Sequence, residues 1–151
     1  MAISPNTDFT TGAVFTASQA NNFPRGIMAF ASVTTSDTTI TAEEIQVTSA
    51  SFTAVANRYY KITYLEPDLY NSAGYMVGRL RITNVAGTQL QRFDNTIGAG
   101  VDRFMVVIWV GTFSAGSTVI VATQTSSSGT GQAVRSATSP AQLIIEDLGP
   151  A

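Results

Sequence analysis

The chain has 151 residues, with ten carboxylates against eight basic side chains and only 12% of residues charged; that is one domain's worth, able to bury roughly 70% of its unfolded surface without staples. Cysteine and histidine are both absent, which excludes disulfides, thiolate metal sites and the Ser-His and Cys-His arrangements of most hydrolases. A net charge of -2 offers no basic footprint for nucleic acid, and 35 serines and threonines leave a surface covered mainly by hydroxyls.

The opening "MAISPNTDFTTG" lacks the basic and apolar regions of a secretory signal. No apolar run approaches the length of a membrane span, so a soluble chain made in the cytosol is expected. Next, "FTTGAVFTASQANNFPRG" reads as a leader with one short helix: Thr16 and Gln19 form a capping box, and Asn22, Phe23 and Pro24 stop the helix after about two turns. So short a helix is marginal alone. Val14, Phe15, Ala20 and Phe23 are therefore expected to dock, either on a partner protein or back over the open end of their own domain. Residues 1–25 are read as an anchoring leader and residues 26–151 as one domain.

Beyond the leader, β-branched and aromatic residues dominate and turn residues recur every eight to twelve positions, which predicts an antiparallel all-β sandwich or barrel. The candidate strands begin with "GIMAFASV", "TTITAEEIQV" and "ASFTAVA". In "RYYKITYLE", Tyr60, Ile62 and Tyr64 share a core face while Lys61 and Thr63 share the other. In "YMVGRLRIT", Leu80 and Ile82 point one way and Arg79 and Arg81 the other, leaving one wet or interfacial face. "NVAGTQ" turns into "QLQRFD", and "GAG" at 98–100 reads as a hairpin-like turn.

"RFMVVIWVGTF" is apolar without alternation from Phe104 to Val110. That predicts a central strand buried on both faces, or one with its second face in a subunit contact. Phe104, Val106 and Trp109, with Arg79 and Arg81, are the oligomer-interface candidates. "AGS" then turns into "TVIVATQT", and "SSSGTGQ" is a polar loop expected to be mobile or surface-displayed. "QAVRSAT" is a weak strand, and "AQLIIED" is the last, with Gly149 and Pro150 ending regular structure.

Few residues suggest chemistry. Asp68, Asp94, Asn95 and Asp102 could offer oxygen to a hard cation, but they lack calcium-loop spacing and read as turn residues. The neighbours Glu43 and Glu44, and Glu146 and Asp147, point to opposite faces of a strand, so neither pair forms the facing carboxylates of a glycosidase. They read as solvated strand ends or as intersubunit partners for Arg79, Arg81 or Arg103. The loop "YNSAGY", with Tyr70, Asn71 and Tyr75, is the candidate ligand-facing patch, suited to a sugar. No phosphate-binding glycine loop or nucleophile elbow occurs. The chain is expected not to be an enzyme and to carry neither cofactor nor metal.

Three phrases, "FTTGAVFTASQANNFPRGIMAFA", "SFTAVANRYYKITY" and "SAGSTVIV...ATSPAQLIIEDLGPA", resemble small structural proteins of tailed bacteriophages, of minor tail or tail-fibre type. The resemblance spans nearly the whole chain. It implies a virion component with a jelly-roll-like sandwich, often a homotrimer, that carries no catalytic residues. It leaves open a head location, as a capsid decoration or head-fibre protein, and a receptor module that binds host surface glycan.

Overall fold

The computed structural model describes residues 11, 12, 14–96, 100 and 102–151; most of the turn expected at 98–100 lies outside them. Among the described residues the one helix is α1 (Ala17–Asn21). Its N-cap Thr16 accepts from the Gln19 N–H while Gln19 Oε1 accepts from the Thr16 N–H at 2.9 Å, which is the expected capping box. The described residues after it form strands, turns and connecting loops.

The strands are β1 (Gly26–Val33), β2 (Asp37–Ile40), β3 (Glu44–Thr48), β4 (Phe52–Ala54), β5 (Arg58–Asn71), β6 (Met76–Ile82), β7 (Gln89–Asn95), β8 (Arg103–Thr112), β9 (Gly116–Thr118), β10 (Ile120–Ser126), β11 (Gly131–Ala133) and β12 (Ala141–Pro150). One sheet runs β1-β12-β5-β8, all antiparallel, and β2 pairs β11 alongside the far half of β5. The second runs β3-β10-β6-β7, and β4 with β9 forms a small third ladder. A six-stranded and a four-stranded sheet in these orders form an antiparallel sandwich of jelly-roll type, the class the strand pattern and the resemblance led one to expect.

Alternation places the core. Tyr60, Ile62 and Tyr64 on β5 are fully buried beside Leu143 and Ile145 of β12. Across the sandwich, Leu80 of β6 with Ile120 and Ala122 of β10 complete the same cluster. Each such Leu or Ile contributes about 1.5–3 kcal/mol by leaving water.

Three expectations are corrected. The segment 38–47 is two strands in different sheets, because the corner at residues 41–43 carries the chain from one layer to the other. The last strand runs on through Gly149 and Pro150, since Gly149 takes a positive φ of 107° at a bulge and the ladder to Tyr59 and Arg58 continues. And β8 is not central: among the described residues it pairs only with β5. Its Met105 and Val107 are buried and Trp109 half-buried, while Phe104, Ile108 and Val110 are exposed. Apolar residues at both parities hid an alternation that is present.

Candidate functional site

One buried side chain ties the leader to the sandwich. Arg58, the first residue of β5, pairs bidentately with Asp147, Nε to Oδ2 at 2.6 Å and Nη2 to Oδ1 at 2.7 Å. The same guanidinium donates to the carbonyls of Asn21 and Phe23, each at 2.6 Å. Burial pushes the Asp147 carboxyl up, but the Arg58 hydrogen bonds, the Gly149 N–H and the Arg58 charge together hold it below its ordinary value. Beside this fork lies a hollow of about 330 Å³ lined by Asn22, Arg25, Val55, Asn57 and Pro150 among others.

What the fork grips is main chain. Phe15 and Phe23 stack on each other, centroids 5.8 Å apart at 24°, and are 53% and 38% exposed. Val14 and Ala20 are exposed as well. Both rings thus keep a substantial part of their surface open to solvent.

Inside the sandwich sits a second charged cluster that bridges the sheets. Glu66 accepts from Arg135 Nε at 2.8 Å and Nη2 at 2.6 Å, from the Tyr64 hydroxyl at 2.6 Å and from Gln124 Nε2 at 2.9 Å. Arg135 also donates to Gln46 Oε1 at 2.6 Å and to the Thr35 carbonyl at 3.2 Å. Burial raises the Tyr64 hydroxyl well above its usual value, and the adjacent Glu66 charge adds to that. Every atom of this network except Gln124 Oε1 finds a partner among the described residues. Such a network fixes which strands face each other rather than adding much net stability.

The interface candidates are divided among three surroundings. Arg79 and Arg81 lie on the outer face of the second sheet. There Arg81 forks Glu43 at 2.6 and 3.0 Å, Thr123 Oγ1 donates to Glu43 at 2.6 Å, and Arg79 Nη1 lies 3.5 Å from it. Burial would raise the Glu43 carboxyl, but the Arg81 and Thr123 hydrogen bonds and the two arginine charges hold it below its ordinary value. Glu43 thus partners these two arginines within the chain. Trp109 faces inward and packs on Phe113 at 5.0 Å between ring centroids. Phe104 and Val106 lie on the outer face of the first sheet.

In the "YNSAGY" loop, Asn71 is buried and serves the loop itself. Its Nδ2 donates to Ser126 Oγ at 2.7 Å and its Oδ1 accepts from the Ala73 and Gly74 N–H groups. Tyr70 and Tyr75 are half-buried. The serine loop, expected to be mobile or surface-displayed, is exposed at Ser127, Ser128 and Gly129 and tied to this one: Ser127 exchanges bonds with the Tyr75 backbone, Thr130 with Ser72, and Ser128 Oγ donates to the Ala73 carbonyl. Gly74 is required there, since a Cβ would stand 2.4 and 2.5 Å from the Ser127 and Ser128 hydroxyls and 2.9 Å from the Ser128 amide nitrogen.

The acidic residues separate as expected. Glu146 meets Lys61 on the outer face at 3.0 Å while Asp147 turns inward, and Asp94 pairs with Arg92. Asp68 and Asp102 share a hollow of about 320 Å³ with Arg103; burial, then the charges of Asp102 and Glu66, raise the Asp68 carboxyl. Among the described residues no three carboxylates gather as a metal site would need, and no helix is long and apolar enough to cross a membrane.

Sequence reasoning missed both buried ion pairs, although the signal was available. Counting by twos from Tyr60, Ile62 and Tyr64 puts Arg58 and Glu66 on the core face, and counting from Leu143 and Ile145 does the same for Asp147.

No protein-family model matches this sequence, and neither does any curated protein. Solved structures with partial similarity include the VP2 protein of infectious bursal disease virus, at 12% identity and TM-score 0.47, covering 97% of this chain and 42% of that one. A carbohydrate-binding module of Cellvibrio mixtus lichenase 5A has 11% identity and TM-score 0.39, with coverage of 79% and 96%. The enzymatically active domain of bacteriophage CBA120 tailspike protein 4 has 11% identity and TM-score 0.37, covering 79% of this chain and 19% of that chain. Similarity at this level leaves the fold to be read from the strand order itself.

Proposed function

We propose that this chain is a structural component of a tailed-bacteriophage virion, of minor tail or tail-fibre type, anchored by its leader and displaying a trimeric sandwich. The observation that carries the reading is the way the leader is held: Arg58 grips its backbone carbonyls, and the stacked Phe15 and Phe23 rings stay 53% and 38% exposed. A segment that served only to cap its own domain would bury those rings. Gripped by main chain, it instead presents Val14, Phe15, Ala20 and Phe23 at a fixed angle to a neighbouring virion protein.

The same geometry supports a non-catalytic role without cofactor or metal. Glu43, Glu66 and Asp147 are each neutralised by an arginine of the chain, and Asn71 of the sugar-facing patch is occupied by its own loop. The test is incorporation. Particles assembled with a Val14→Asp, Phe15→Asp chain should carry about tenfold less of it than wild type, as loss of anchoring side chains at an interface predicts. Quantitative mass spectrometry of purified particles reads this, and wild-type incorporation would sink the anchoring reading.

A further inference from the structure

The outer face of the first sheet is apolar in a particular pattern. Its registers line up Phe30 of β1, Ile144 of β12, Thr63 of β5 and Ile108 of β8 in one row. The neighbouring row on one side holds Ile27, Glu146, Lys61 and Val110. In both rows the middle strands are half-buried, and the exposed apolar side chains stand at the two opposite edges. Ile27 and Phe30 are 66% and 51% exposed on the β1 edge, and Phe104 is 69% exposed on the β8 edge.

The β8 edge is shaped to receive something. Where it approaches β7, Phe93, Asn95, Arg103, Phe104 and Val106 line an apolar hollow of about 260 Å³. The backbone there is already engaged, because Asn95 Nδ2 donates to the Phe104 carbonyl and Gln91 Nε2 to the Ile108 carbonyl, both at 3.4 Å. Two carbonyls of this edge are therefore taken, and exposed apolar side chains are what it chiefly offers. Arg103 lies against the hollow with its Nε buried and lacking a hydrogen-bond partner among the described residues. The face of a guanidinium so placed can take an aromatic ring by cation–π attraction.

We propose that the chain closes into a homo-oligomeric ring, in which the β1 edge of one copy seats Phe30, flanked by Ile27, in the Phe93–Phe104 hollow on the β8 edge of the next. This names the surfaces of the trimer proposed above and rests on that reading. A second copy is the occupant that the page supports, because each copy carries both the apolar knob and the hollow on opposite edges of one sheet. That arrangement makes head-to-tail contacts, which give a ring where the rotation closes and a filament where it does not, rather than a two-fold face-to-face pair. The exposed fractions of Ile27, Phe30, Phe93, Phe104, Ile108 and Val110 amount to roughly 600 Å² of apolar surface per contact; at an apolar share of about 60% that implies about 1,000 Å² in all, the lower bound of a specific interface.

The test uses the full chain in native mass spectrometry and light scattering. Wild type should be one closed species, and Phe30→Glu and Phe104→Glu should each be monomeric, with dissociation constants raised at least ~100-fold. Mixing the two variants should yield a 1:1 dimer, because the intact β8 edge of the first meets the intact β1 edge of the second. Both positions are exposed, so thermal midpoints should hold, and Ile108→Glu provides a second lesion on the β8 edge. A wild-type chain that stays monomeric at ~100 μM, or a mixture that stays monomeric, overturns the ring. A monomeric chain that still enters particles at wild-type level would refute the ring alone; a ring-forming chain absent from particles would refute the virion reading alone.

Discussion

The two main sheets of the sandwich both turn a face to solvent, yet they use that surface in opposite ways. On the second sheet, Glu43 ties Arg79, Arg81 and Thr123 into one network, so the polar groups are spent on each other. On the first sheet the centre holds Thr63 and the Lys61–Glu146 pair, while apolar side chains stand exposed at both edges. A face whose charges are internally matched has little left to offer a partner; a face with exposed phenylalanines at its margins has not yet completed its burial. The difference teaches that two faces which look alike in sequence, each with one outward row free to meet a partner, are built differently: arginines matched within the chain on one, apolar side chains left exposed on the other.

Measuring stability apart from association sharpens that contrast. The largest effect is expected from Glu43→Ala, which strands two arginines and the Thr123 hydroxyl at once and should cost the fold about 2 kcal/mol in urea unfolding. Its oligomeric state should be unchanged; a loss under about 0.5 kcal/mol would show that the network is decoration rather than structure.

Acid should act on the same side of the comparison. The Glu43 and Asp147 carboxyls are held below their ordinary values in the fold. Their stabilisation is therefore fully present above the unfolded values and is lost as pH falls through the folded ones. The unfolding midpoint should stay level on lowering the pH from 7 and fall below about pH 4. In Glu43→Gln, which cannot titrate, the acid limb should be shallower, and an identical limb would remove Glu43 from the account. The smallest effect belongs to the apolar face. Ile108→Thr should change the stability of the dissociated chain by no more than about 0.5 kcal/mol, and a larger loss would mean that Ile108 is part of the monomer's own packing.

Much of the fold was legible because its strands obey period two. Gly26–Val33 was read to the residue, and the inward set of β5 followed from Tyr60, Ile62 and Tyr64. The same counting would have exposed Glu66 and Asp147 as inward charges needing arginines, had it been carried to the ends of the strands. It could not show that Arg58 supplies one of those partners and also reaches the leader, because residues 21, 23, 58 and 147 meet only after β5 and β12 have paired.

The sequence alone determined the all-β class, the capped helix in the leader and the inward and outward sides of the strands on which alternation was plain. These depend on local backbone preference and on which side chains shun water, and neighbouring residues carry both. Tertiary structure alone decided that β8 lies at an edge, that residues 38–47 divide between two sheets, and that Arg79 and Phe104 look out from opposite sides. Strand order is set by pairings between residues far apart in the chain, and a strand's own pattern says which way its side chains point without saying what lies beside it.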